Sequence, residues 1–401
     1  MKSAGAALQI EEIDLADLSK RGDVEPFHAM DVLAEATRRR TAGHPVISMA
    51  VGQPSHPAPK AALAAARAAL EHGRLGYTDA LGLLSLRQAI SAHYRRLYGV
   101  SVDPQRIAVT TGSSAGFNLA FLALFDAGDW VAIARPGYPA YRNILKALGL
   151  NVLEVAADAA SGFTLTPENL EAAARQAGVR LKGVLLASPA NPTGTVTGAA
   201  ALKALGEYCA SHAIHFISDE IYHGLTYAGE ETTALSVTDR AIIINSFSKY
   251  YCMTGWRIGW MVLPEDMVRS FERIAQSLYI SAPELSQIAA EAALGETEEL
   301  EQVKASYRKN REILMEALPR IGLELASPMD GAFYAYADVR RFTNDSMAFA
   351  RRMLAETDVA ATPGADFDPV DGHHTMRFSY AGATADMVEA MERVGRWLRS
   401  A

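Results

Sequence analysis

The sequence predicts an α/β fold, a mixed and mostly parallel seven-stranded sheet sandwiched by helices, with a smaller α+β domain attached. Three observations predict it. Short apolar runs alternate with helical patterns through the centre of the chain, as in a sheet covered on both faces. One connection between two such runs is too short for a parallel crossover. Beyond about residue 280 the alternation gives way to long helical patterns with only short strands between them.

The strand candidates are Arg106–Thr110, Trp130–Ala134, Val152–Ala156, Gly183–Ala187, His215–Ser218, Ala241–Asn245 and Arg257–Leu263. Runs such as Val184-Leu185-Leu186 and Ile242-Ile243-Ile244 are apolar on both alternating faces, which suits strands buried on both sides. Helical patterns follow most of them, at Ser114–Phe125, Ala140–Leu148, Pro167–Gln176, Gly198–Ser211 and Glu265–Ser277. Only Ser246 to Trp256 separates the last two strands. The strand at Arg257–Leu263 is therefore expected to run antiparallel to the others. Helical patterns near Pro283–Leu294 and Glu298–Leu318, with strands near Ala332–Ala335 and Thr375–Ser379, make up the smaller unit. The expected division is a large domain over residues 46–279 and a small domain built from 1–45 and 280–401.

A chain of 401 residues suits two such domains, and its composition, 49% hydrophobic and 21% charged, is that of a globular protein. The net charge of −8 does not attract phosphate backbones, so no nucleic-acid partner is expected. Arg38-Arg39-Arg40 is the one dense basic cluster, and it falls near the end of the helical pattern Pro26–Thr41, where cations favour the helix C-terminus. The two cysteines, Cys209 and Cys252, make neither a disulfide framework nor a zinc site. No secretory signal or membrane-length apolar run is visible, and a cytoplasmic location is expected, with no membrane partner.

The richest stretch is Asn245-Ser246-Phe247-Ser248-Lys249, continuing to Gly255-Trp256-Arg257. Lys249 lies just past an apolar strand, where open α/β sheets bind ligands. A lysine buried there loses its proton readily and can attack a carbonyl as a neutral amine. Ser246, Ser248 and Arg257 beside it suit a phosphate. A lone loop lysine is otherwise a solvated charge.

Five further segments each carry a bland reading and a chemical one. Thr110-Thr111-Gly112-Ser113-Ser114 closes a strand and opens a helix; it is a plain helix start or an anion cradle. Tyr138, in Arg135-Pro136-Gly137-Tyr138-Pro139, is a packing residue or a stacking platform. Ser188-Pro189-Ala190-Asn191-Pro192-Thr193-Gly194 is a turn. Asp219, in Ser218-Asp219-Glu220-Ile221-Tyr222, caps a helix, forms an ion pair or serves a ligand, since a buried charge needs a partner. Arg377, in Met376-Arg377-Phe378-Ser379-Tyr380, is a structural ion pair or a fork for a carboxylate.

Together, in this order, these segments resemble the class I/II aminotransferases, fold-type-I enzymes dependent on pyridoxal 5′-phosphate and similar to aspartate aminotransferase. The resemblance runs from about Val24 to the C-terminus. It implies that Lys249 carries the cofactor as an aldimine, then shuttles a proton as general base and acid. It implies that Ser113, Ser114, Ser246, Ser248 and Arg257 hold the phosphate. Tyr138 would stack on the pyridine ring, Asp219 would pair with the ring nitrogen, and Asn191 and Tyr222 would reach the 3′-oxygen. Gly52, in Val51-Gly52-Gln53-Pro54, together with Asn191 and Arg377 would bind the substrate carboxylate. Tyr77 would cross a two-fold axis to the partner's cofactor in a homodimer; alone it is a surface tyrosine in a loop. No metal is implied.

The implied activity is ping-pong transfer of an amino group from an L-amino acid to a 2-oxo acid. A C–S β-lyase or an amino-acid decarboxylase on the same scaffold is the alternative. A transcription regulator needs an appended basic helix-turn-helix that this acidic chain does not show, and a dead binding protein would not keep Lys249, Asp219 and Arg377 together. The stretch from Ile274 to Val303 has no Arg or Lys to read a second carboxylate, so a neutral or aromatic donor is favoured over an acidic one.

Overall fold

A computed structural model describes residues 18–400; residues 1–17 and 401, which include part of the expected N-terminal share of the small domain, lie outside the described residues. In chain order the helices are α1 (His28–Thr41), α2 (Lys60–His72), α3 (Leu84–Tyr98), α4 (Ser113–Leu124), α5 (Pro139–Ala147), α6 (Pro167–Ala177), α7 (Ala199–Ser211), α8 (Val268–Tyr279), α9 (Glu284–Ala293), α10 (Thr297–Arg320), α11 (Ser346–Thr357) and α12 (Thr384–Ser400). The strands are β1 (Ile47–Met49), β2 (Ile107–Thr110), β3 (Trp130–Arg135), β4 (Asn151–Ala156), β5 (Leu181–Ala187), β6 (His215–Asp219), β7 (Ile242–Ser246), β8 (Gly259–Val262), β9 (Glu324–Leu325), β10 (Tyr334–Asp338), β11 (Val359–Pro363) and β12 (Thr375–Ser379).

The seven-stranded sheet has the order β2-β8-β7-β6-β5-β3-β4. Strand β8 runs antiparallel to both its neighbours, and the other pairs are parallel. The short connection before β8 leaves no room for a crossover helix, as its length requires. Successive strand residues feed opposite cores. Val184, Leu186, Ile243 and Trp260 enter one apolar cluster, and Leu185, Ile242, Ile244 and Met261 the other.

The parallel strands present their carboxyl ends at one edge, where ligands bind in such sheets. Strand β8 starts at that edge. Its first residue, Gly259, pairs with Thr110 of β2 and Ser246 of β7. The antiparallel strand thus brings to this edge the loop on its amino-terminal side, with Arg257 in it. The parallel strands bring the loops on their carboxyl-terminal side.

The second sheet has five strands, ordered β1-β11-β12-β10-β9. Its core, with α10, α11 and α12, gathers Tyr307, Phe333, Tyr334, Phe378 and Tyr380. The structure adds β1, β9, β11, α11 and α12 to the elements expected from periodicity, and it starts β10 two residues later than expected. Strand β1 belongs to this sheet, paired with β11. Helix α9 packs its alanines with Ala62 and Ala66 of α2 in a core of the larger sheet. The basic cluster of α1 is structural. Arg39 bonds Asp358 at 2.8 Å, ahead of β11, and Arg40 donates to the Val46 carbonyl.

Candidate active site

A cavity of about 200 Å³ opens between the two sheets. Of the thirteen residues singled out in the sequence, eleven line it: Gly52, Ser113, Ser114, Tyr138, Asn191, Asp219, Tyr222, Ser248, Lys249, Arg257 and Arg377. The two others lie elsewhere. Ser246 sits behind the wall, its hydroxyl 2.9 Å from that of Ser248 and donating to the Ile258 carbonyl. Tyr77 is on the outer surface, 82% exposed.

Lys249 lies three residues beyond β7 and turns inward. Its Nζ donates to the Gly52 carbonyl at 2.8 Å. Burial, then the charges of Arg377 and Arg257, lower its pKa from 10.5 to about 8, against the opposing pull of Asp219. A substantial share of the amine is therefore neutral at a mildly alkaline pH.

Two cationic ends flank the lysine. At one, α4 opens after Gly112 with no side-chain cap, so its first N–H groups face the cavity with the positive end of the helix dipole. Arg257 stands beside it, and among the described residues has no carboxylate partner within 4 Å. Its backbone is left-handed, with φ of 49°, which is unusual for a residue with a side chain. The guanidinium lies so close to Gly112 that a Cβ there would collide with it.

At the other end, Arg377 occupies β12, the central strand of the small sheet, in register with Thr362 and Tyr336. It is buried among neutral acceptors. Its Nη1 donates to Asn191 Oδ1 at 2.8 Å, and its Nη2 donates to the Ala50 carbonyl and to Thr362 Oγ1. The guanidinium lies 4.3 Å from the Tyr334 ring and 4.6 Å from that of Phe367. Its Nε is buried with no hydrogen-bond partner among the described residues. A buried charge among neutral acceptors is costly until an anion arrives.

Asp219 closes β6 and is only 2% exposed. It accepts from the Tyr141 hydroxyl and from the Ile221 N–H at 3.0 Å, but among the described residues it has no cationic hydrogen-bond partner. Burial raises its carboxyl from 3.8 to about 6, and those two donors pull it back. Tyr222, three residues on, shares a hydrogen bond of 2.7 Å with the Tyr334 hydroxyl.

Among the aromatic residues not evident from sequence, Tyr334, Tyr141 and Phe367 support groups of the site. Tyr334 links Tyr222 to Arg377, and its hydroxyl fills the space a side chain at residue 52 would need, which requires Gly52 to be glycine. Tyr141 holds Asp219, and Phe367 supports Arg377. Tyr141 carried a usable signal. It lies three residues after Tyr138 at a helix start, on the same face, and the two rings meet at 5.3 Å. Phe27, Ala29 and Met30, at the start of α1, close the remaining wall with apolar surface.

The description "aminotransferase class I and II" belongs to the family whose sequence model matches residues 44–394. The valine–pyruvate aminotransferase of Mycobacterium tuberculosis is 48% identical over 385 residues, which span 95% of this chain and 98% of that protein. The aspartate/prephenate aminotransferase of Thermus thermophilus is 33% identical, over 94% of this chain and 97% of its own. A crystal structure of an aminotransferase from M. tuberculosis matches with a TM-score of 0.92 at 46% identity, covering 96% of this chain and all of that one. The T. thermophilus aspartate aminotransferase with maleate matches at 0.88 and 33%, covering 95% of this chain and all of that one. Members of the family depend in general on pyridoxal phosphate. The chain belongs to the class I and II aminotransferases, enzymes that act on amino acids and 2-oxo acids.

Proposed function

We propose that this aminotransferase uses pyridoxal phosphate held at Lys249 to move the amino group of a neutral, apolar L-amino acid to a 2-oxo acid. One observation carries the reading. Among the described residues, two arginines without carboxylate partners flank a buried lysine of lowered pKa, and a buried aspartate without a cation among its hydrogen-bond partners faces the same cavity. That set of charges suits a ligand with anionic groups at two ends and a cationic nitrogen between them.

Each part of the cofactor has residues that suit it. The start of α4, with Ser113, Ser114, Ser248 and Arg257, would hold the phosphate, and Ser246 would act through Ser248. Tyr138 would lie against the ring. Asp219 would meet the ring nitrogen, and Asn191 and Tyr222 the 3′-oxygen. The bound cofactor supplies a sink for the electron pair left when the substrate loses its α-proton.

The protein's own groups do the rest. Arg377 receives the substrate carboxylate, steered by Asn191 and supported by the two aromatic rings. The carboxylate sets the α-carbon within reach of Lys249 Nζ. With its pKa near 8, that amine can take the α-proton at mildly alkaline pH and return it. Gly52 anchors the lysine through its carbonyl and leaves room for the Tyr334 hydroxyl.

Two observations favour a neutral donor. The wall formed by Phe27, Ala29, Met30 and Val51 is apolar, and among the described residues the cavity has no cation beyond Lys249, Arg257 and Arg377. The relative from M. tuberculosis is named for valine and pyruvate. The test is a balance of reactants. The purified enzyme with valine and pyruvate should consume both one for one, with aspartate at least about tenfold poorer as donor. Loss of amino acid without uptake of the oxo acid would establish a lyase or decarboxylase instead.

The active unit we infer is a homodimer, in a cytoplasmic setting that suits two buried free thiols. Tyr77 does not line its own cavity. Its loop is pinned to the segment before and within α9, Gly76 N–H donating to Glu284 and Thr78 N–H to Ser281. Leu70 and Leu75, before Tyr77, and Leu278 and Ile280, just before Ser281, are exposed, apolar side chains suited to a second copy. Tyr77→Ala and Lys249→Ala subunits, each impaired alone, should regain about a quarter of wild-type activity after exchange. About half the dimers would be mixed, and each would have one intact site. No recovery after verified exchange would mean that Tyr77 serves its own chain.

A further inference from the structure

Helix α1 begins without a cap of its own. Phe27 occupies the N-cap position and has no side-chain acceptor for the free amides of the first turn. The acceptor comes from 338 residues away. Asp366 Oδ1 accepts from the His28 N–H at 3.0 Å, and Oδ2 from the Ala29 N–H at 3.1 Å. This carboxylate is 2% exposed. Both of its oxygens are thus committed to a turn whose residues, Phe27, Ala29 and Met30, line the cavity.

The neighbours of Asp366 tie it to the site. The next residue, Phe367, lies on the Arg377 guanidinium at 4.6 Å. The Phe367 carbonyl accepts from the Gly137 N–H at 3.0 Å, next to Tyr138. The Asp366 carbonyl accepts from Arg142 of α5. Across the cavity mouth, the Phe27 ring meets the Tyr138 ring edge-on at 5.7 Å. Asn143 of α5 holds the chain just before α1 through the Glu25 carbonyl at 2.9 Å. Two consecutive residues therefore connect the fork for the carboxylate to the apolar wall facing it.

We propose that Asp366 is a specificity-positioning residue, a latch that holds the first turn of α1 at a fixed distance from Arg377 so that Phe27 and Met30 measure the substrate side chain. This rests on the proposed function, in which Arg377 takes the substrate carboxylate and the donor is apolar. A donor with a branched side chain fills the space under the wall, and a donor with only a methyl group does not reach it. Loosening the wall therefore costs the branched donor its contacts and leaves the small donor almost untouched.

The test combines two readouts on Asp366→Ala, Asp366→Asn and Phe27→Ala, in the full-length chain. The first is amide hydrogen exchange over residues 24–34 in the cofactor-free protein. Asp366→Ala should speed it at least about fivefold, the scale of a lost helix cap, with Asp366→Asn between it and wild type, and with peptides from β5 and β7 unchanged. The second is the donor preference of the loaded enzyme. The KM for valine should rise about fivefold to tenfold in Asp366→Ala, with the KM for alanine changing less than about twofold and kcat for both nearly kept. Phe27→Ala, which removes part of the wall itself, should raise the KM for valine at least as much. Unchanged exchange over 24–34 in Asp366→Ala would overturn the latch. So would equal rises in KM for the two donors, which a general loosening of the fold would produce. A wild-type enzyme inert with both donors would overturn the functional reading instead, and the exchange result would still decide whether Asp366 holds the turn.

Discussion

Replacing Lys249 by alanine should leave a protein that still binds pyridoxal phosphate through its phosphate contacts and turns over slower by several orders of magnitude. Loss of the positioned base alone accounts for roughly 10²–10⁴-fold. Loss of the covalent hold on the cofactor adds to it. Single-turnover rates with valine and a cofactor-binding titration separate the two effects. The same residue has a signature in the cofactor-free chain. Its pKa is lowered in the fold, from 10.5 to about 8, so the folded state resists protonation that the unfolded state accepts. The resulting penalty is full below about pH 8, fades as pH rises and is gone above 10.5. Lys249→Met keeps the stem and removes the charge. It should therefore raise the melting temperature of the cofactor-free protein at about pH 7, with the gain shrinking towards about pH 10. A variant melting lower than wild type at neutral pH would mean that the lysine is not held against its charge.

Asp219→Asn should have the next largest effect. It keeps the shape and removes the charge that would hold a proton on the ring nitrogen. At about 1.4 kcal/mol per pKa unit, even a modest change in the ring's protonation slows proton removal greatly. The proton-abstraction step should fall by a factor of about 10² or more, while cofactor affinity falls less, because the phosphate contacts are untouched. Here the sign in the free chain is the reverse of the usual carboxylate. Burial raises the folded pKa from 3.8 to about 6. The stability this contributes is full below 3.8 and is lost as pH rises through about 6. An uncharged asparagine escapes that loss. The cofactor-free variant should thus be at least as stable as wild type at about pH 7 while being nearly inactive. Near-normal rates in the variant would remove Asp219 from the mechanism.

The larger sheet was legible because its strands are apolar on both faces and are punctuated by turn residues. The antiparallel β8 was legible from chain length alone. The smaller sheet was less so. Strands β1 and β11 are three and five residues long, and Val359–Pro363 is alanine-containing and ends in proline, so no period stands out. Strand β10 starts late because Ala332 is left-handed, with φ of 59°, and interrupts the extended run. Within the site, residues of the contiguous motifs could be read, since most of them lie at or just past the carboxyl ends of parallel strands at one edge of the larger sheet. Residues acting through distant contacts could not. Tyr334 and Phe367 read as ordinary core aromatics, and Asp366 caps a helix that lies 338 residues away. Ser246 shows the converse. Its place beside Lys249 in sequence suggested direct contact with a phosphate, but its hydroxyl bonds the Ile258 carbonyl and the Ser248 hydroxyl behind the wall.

Every step proposed for this enzyme depends on Lys249 carrying the cofactor. The purified, cofactor-loaded enzyme should be reduced with borohydride, digested, and the labelled peptide sequenced. The expected result is a single pyridoxyl label on Lys249, within the peptide that contains Ser246 and Ser248. A label on any other lysine, or none in an enzyme that is catalytically active, would contradict it.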